Sequence, residues 1–110
     1  MQAYARELQR QTAFSDEAIL SAQNLLTTFG VAGAKMKEAT QAALNLSAGL
    51  GIDLQTASML VGKAFAGQTE TLGRYGIKID EAIPASQKFT EVLEQINQKF
   101  GGAAQAQADS

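Results

Sequence analysis

The feature that most constrains this chain is its punctuation. Gly30, Gly33, Gly49, Gly51, Gly67, Gly73, Gly76 and Pro84 recur through a sequence otherwise rich in Ala and Leu. Ala and Leu favour helix; glycine loses backbone entropy there, and proline removes a donor and clashes with the preceding turn. The chain is therefore cut into short helical stretches. Isolated helices under ~15 residues are marginal in water, so these must pack to survive. A continuous helix of all 110 residues would reach roughly 165 Å, and the breaks exclude such a rod.

Periodicity and end signals place the helices at about 2–13, 16–29, 34–49, 54–66 and 85–100. The first carries Tyr4, Ala5 and Leu8 and is weakly amphipathic. Ser15 is a candidate N-cap for the second, with Asp16 and Glu17 in the first turn, where carboxylates suit the helix dipole. Ile19, Ala22, Leu26 and Phe29 follow at helical spacing, and Gly30 and Gly33 close the segment. Met36, Ala39, Ala43, Leu46 and Leu50 form the most regular stripe, ended by Gly49 and Gly51. Asp53 is a candidate N-cap for the helix bearing Leu54, Ala57, Leu60, Val61, Ala64 and Phe65, and Gly67 its C′ residue. In the last helix Phe89, Val92, Leu93, Ile96 and Phe100 share one face, and Gly101-Gly102 stops it.

Residues 68–83 are the least helical part. Thr69 could cap a short turn holding Leu72, and Ile77-Lys78-Ile79-Asp80 reads as an extended connector, too short for a strand alone. Pro84 disfavours helix at Ile83 and suits the first turn of the next helix. The whole reads as one all-α domain over 1–110, a compact bundle of four or five short helices, or one completed by self-association.

Charge and composition narrow the function. The net charge is −2 and the nine basic residues are scattered, so no direct nucleic-acid binding is expected. Histidine and cysteine are absent. That removes the commonest general base, thiolate metal sites and disulfides. The N-terminus lacks the apolar region of a signal peptide. The tract from Ala42 to Gly67 is weakly polar but interrupted by Asn45, Asp53, Gln55 and Lys63, so it falls short of a membrane span.

Catalytic motifs fail on inspection. Gly62-Lys63 would need glycine at Ala57 and a hydroxyl at Ala64 to cradle phosphate. Gly49-Leu50-Gly51 has Leu54 where a dinucleotide fingerprint needs its third glycine. The carboxylate pairs Asp16/Glu17, Asp80/Glu81 and Glu91/Glu94 read as helix-end or solvated groups. Asn45-Leu46-Ser47 matches a glycosylation sequon but lies mid-helix. No catalytic residue, cofactor or metal site is expected. Two sets of residues are candidate interaction sites. Arg74 and Tyr75 sit between glycines on the irregular segment, although Tyr75 reads more simply as an anchor and Arg74 as solvated. The stripe Met36, Ala39, Ala43, Leu46 and Leu50 could be a seam for a partner helix, but core is the preferred reading.

Several blocks together resemble phage tail tape-measure proteins, also called minor tail proteins. They are Ala39-Thr40-Gln41-Ala42-Ala43-Leu44-Asn45-Leu46-Ser47-Ala48-Gly49, Leu60-Val61-Gly62-Lys63-Ala64-Phe65-Ala66-Gly67 and Leu72-Gly73-Arg74-Tyr75-Gly76-Ile77. Ser21 to Phe29 upstream and Phe100 to Ala106 downstream also fit. Each block is poor in information, and their order and spacing carry the resemblance. It implies a structural role in tail assembly and tail-length determination, within a parent chain many times longer. It implies partners among the tail-tube protein and tail assembly chaperones, and a folded module on such a ruler is expected to pack with copies of itself or with another tail component. It also implies a location in the virion tail, after a cytoplasmic stage in the host. Membrane contact would belong to the parent chain and has no support in these residues. The family offers no catalytic residues in this block. The alternative class is a generic helical interaction domain of a bacterial or prophage protein. A small carboxylate enzyme and a membrane-active segment within Ala42–Gly67 are the weaker alternatives.

Overall fold

Ser15 and Asp53 each start a helix through the side chain. In this computed structural model, which describes residues 14–103, the Ser15 hydroxyl oxygen accepts from the Ala18 amide at 3.1 Å. The Asp53 carboxylate accepts from the Thr56 amide at 2.6 Å and from its hydroxyl at 3.0 Å. These bonds satisfy donors that a helix N-terminus leaves open. The helices they start are α1 (Asp16–Thr28) and α3 (Leu54–Phe65). Between them lies α2 (Ala34–Leu50), and after them a 3-10 helix (Glu70–Tyr75) and α4 (Ala85–Phe100). Pro84 stands at the start of α4 with extended backbone, and its carbonyl accepts from the Gln87 and Lys88 amides. The helix expected over 2–13 lies outside the described residues.

Glycine ends two helices by one mechanism. Gly30 and Gly67 have φ of +94° and +91°. The Gly30 amide donates to Thr27 and the Val31 amide to Leu26; Gly67 and Gln68 donate likewise to Ala64 and Lys63. This paired closure uses the left-handed conformation that glycine adopts without a Cβ penalty. At the end of α2 the expectation needs correction. Gly51, with φ +71°, is the terminator, and Gly49 lies inside the helix. Its reason for being glycine is tertiary, as shown below.

The helices form a bundle in which α2 and α3 are central. α1 and α4 are each packed on both central helices. α2 is accordingly buried almost all round between Ala39 and Ser47. The core joins Ile19, Leu26, Met36, Leu44, Leu46, Val61, Leu72, Ile77, Phe89, Val92 and Ile96, among others. Burying each of the larger side chains contributes about 1.5–3 kcal/mol before entropy is counted. The longest dimension is 39 Å, so this segment is a folded module and not a rod. Among the described residues there is no strand, and the all-α bundle of short helices holds.

Two glycines fix how close the flanking helices come. The ring of Phe29, at the end of α1, occupies the space a Cβ would take on Gly62 of α3. The ring of Phe100, at the end of α4, does the same on Gly49 of α2. Each central helix thus receives one phenylalanine from one flanking helix in a glycine notch.

Candidate functional site

The irregular segment is the most distinctive part of the surface. Its 3-10 helix is short, and the Thr69 hydroxyl does not cap it. That hydroxyl instead donates to Glu81 Oε1 at 3.0 Å, which brings the two ends of the segment together as the neck of an Ω-type loop. The Lys88 ammonium of α4 clamps the neck. It donates to Glu81 Oε2 at 2.9 Å and, at 3.4 Å, to the Gly67 carbonyl. Further along α4, Gln95 Nε2 donates to the Lys78 carbonyl and Lys99 Nζ to the Gly76 carbonyl, each at 2.7 Å. Lys88, Gln95 and Lys99 are seven and four residues apart and share one face of the helix. The loop therefore climbs α4 from Gly67 to Gly76 and descends again to Pro84. Leu72 and Ile77 are its two fully buried anchors, and Tyr75 and Ile79 pack partly against the core.

Arg74 is exposed on that loop, and Tyr75 is half-buried and packs partly against the core as an anchor. The other candidate set is placed differently. Met36, Ala39, Ala43 and Leu46 are buried in the core, and Leu50 is half-buried. That stripe is used within the chain, and the structure does not bring it together with Arg74 and Tyr75.

The carboxylate pairs are committed to structure where partners are visible. Asp80 Oδ1 accepts from the Ala82 amide in a local turn at 2.9 Å, while Glu81 turns to Lys88 and Thr69. The Lys88 ammonium, then the Thr69 hydroxyl, hold the Glu81 carboxyl below its ordinary range. A general acid needs the opposite shift. Asp53 is held below its ordinary range by the Thr56 amide and hydroxyl it caps. Glu91 and Glu94 are exposed. Among the described residues, no cluster of three or more acidic, His or Cys side chains could hold a metal, and no helix is long and apolar enough to cross a membrane.

A shallow groove of about 330 Å³ runs between α1 and the start of α3, lined by Ala18, Ser21, Ala22, Asp53, Leu54 and Gln55. Its one carboxylate is the Asp53 cap. One buried polar group stands apart. Gln23, on the core face of α1, is 3% exposed, and neither its Nε2 nor its Oε1 has a hydrogen-bond partner. Sequence reading missed Gln23 and the Lys88–Gln95–Lys99 stripe. The stripe had a signal, namely polar residues at helical spacing beside an apolar face; Gln23 had none.

Comparison with protein families, with characterised proteins and with solved structures finds no match to this chain.

Proposed function

We propose that this chain is a structural module of a phage tail tape-measure protein, acting in tail assembly and tail-length determination. The observation that carries the reading is the order and spacing of the blocks from Ser21 to Ala106 that resemble that family. The positions of those blocks in the bundle are consistent with it. Ala39–Gly49 supplies the buried face of α2 and the notch for Phe100. Leu60–Gly67 supplies the buried face of α3, the notch for Phe29 and the closing glycine. Leu72–Ile77 supplies both buried anchors of the loop. Blocks that are individually poor in information each contribute contacts to a single bundle.

In this reading the module is a folded unit carried on a longer ruler, and its contribution is contact with other tail components or with copies of itself. Light scattering across concentration, with capture assays against tail-tube and tail assembly chaperone subunits, tests it. Binding to one of these subunits or self-association is expected. A strict monomer that captures neither overturns the proposal.

A further inference from the structure

Gln23 sets one seam of the bundle apart. It lies on the buried face of α1 with Ile19, Ala22 and Leu26, and neither the donor nor the acceptor of its amide is bonded. Closing α1 on the bundle takes both polar atoms out of water and gives them no partner in return. Opening α1 hands them back to water. The same opening leaves a self-supporting remainder. α1 packs on α2 and α3, whereas α2, α3 and α4 each pack on the other two. Departure of α1 therefore breaks none of the seams that those three helices share. α4 is placed differently. Lys88, Gln95 and Lys99 tie it to the loop, and the loop is itself anchored by the buried Leu72 and Ile77. The link from α1 to α2 suits a movement of α1 alone. The Gly30 and Val31 amides bond back to Thr27 and Leu26, so both residues belong to the end of α1. Ala32, Gly33 and Ala34 after them are exposed. Gly33 has φ +62° and open space where a Cβ would stand, so the joint can turn without a steric penalty.

We propose that α1 is a lid: residues 16–31 open as one unit about Gly33 while α2, α3 and α4 stay folded, and the Gln23 amide sets how often the lid opens. Phe29 leaves the Gly62 notch in that step, and Ile19 and Leu26 leave the core. The face of α2 and α3 beneath them becomes accessible, together with the vacated notch. The apolar burial of Ile19 and Leu26 favours the closed lid, and the unbonded amide between them opposes it. A partial opening of this kind is populated more often than the unfolded chain, because the remaining seams are kept. The inference rests on the fold and stands apart from the tail-assembly reading.

Native-state hydrogen exchange on the full chain tests the lid. The amides from Leu20 to Leu26 should share one opening and exchange about tenfold faster, or more, than the slowest amides of α2, α3 and α4. Gln23→Met should slow the α1 amides by about tenfold, because opening then no longer rehydrates an amide. Ile96→Val thins the packing of α4 on the central helices. It should speed the slowest amides of α2, α3 and α4 by about fivefold and leave those of α1 unchanged, since the lid opens without disturbing that seam. Three results overturn the proposal. The first is α1 amides that exchange no faster than the slowest ones elsewhere. The second is α1 amides that speed up with Ile96→Val, which would tie their exposure to global unfolding. The third is α1 amides indifferent to Gln23→Met, which would mean that an internal water already serves the Gln23 amide. Circular dichroism confirms that each variant is folded; should Gln23→Met not fold, the wild-type rates and Ile96→Val decide.

Discussion

The ring of Phe100 lies where a side chain on Gly49 would begin, and Phe29 stands in the same relation to Gly62. The two notches set the approach of α4 to α2 and of α1 to α3. Alanine at either glycine improves helix propensity by about 1 kcal/mol. It also places a methyl group against the base of a ring that the backbone holds in position. Gly62 is buried and Gly49 is not, so relief is harder at Gly62. Gly62→Ala is expected to lower stability by about 1–3 kcal/mol, as overpacking does, and Gly49→Ala by less. Urea unfolding measures both; a stabilised Gly62→Ala would show that propensity outweighs the clash.

Gln23 predicts a gain. Its amide is enclosed with neither polar atom bonded, and a buried group without a partner costs about 1–3 kcal/mol. Gln23→Met keeps an unbranched side chain of similar size and removes the polar atoms. Its melting temperature should rise. A fall would mean that the amide is satisfied in solution, for instance by an internal water.

Lys88 predicts a local loss. Its side chain is 11% exposed, whereas that of Glu81 is 55% exposed. Lys88→Met keeps the packed stem, removes the ammonium and lets Glu81 return to water. The loop should then open on its own, with the amides of Leu72, Gly76 and Ile77 exchanging about tenfold faster while central α2 and α3 keep their protection. Unchanged loop exchange would show that Leu72 and Ile77 alone hold it.

Acid should loosen the same neck. Glu81 titrates below its ordinary 4.5 in the folded chain and Asp53 below its ordinary 3.8. A carboxyl with a depressed folded pKa stabilises the fold above its unfolded pKa, and that contribution is lost as pH falls through the folded value. With no histidine in the chain, thermal stability should vary little from pH 5 to 8 and decline below about 4.5. Glu81→Gln should flatten the upper part of that decline. Stability that rises on acidification below 4.5 would reverse the sign of this account.

The helix ends were legible because their chemistry is local. Ser15, Asp53, Gly30 and Gly67 bond within four residues of themselves, and short-range signals suffice to find them. The buried stripe from Met36 to Leu46 was legible for the same reason, since a 3-4 spacing puts all four residues on one face. Gly49 was misread because a glycine that ends a helix and one that admits a ring look alike in sequence; Phe100 lies 51 positions away. The path of the loop depends on bonds from Lys88, Gln95 and Lys99 that reach 7 to 23 residues back. Tyr75 could be read as an anchor beforehand. The core position of Gln23 could not, because an amide on an apolar face looks like the edge of that face.

The tail-module reading and the folded state of this segment meet in one measurement, the length of tails made when residues 14–103 are excised in frame from the parent gene. The folded module is 39 Å in its longest dimension, whereas the same residues as one helix would span about 135 Å. The account predicts fewer assembled tails, with those that form shortened by no more than the folded dimension. Tails in full number and shortened by about 135 Å, the extended-helix length, would make the segment part of the extended ruler. Tails unchanged in number and length would remove its role in assembly.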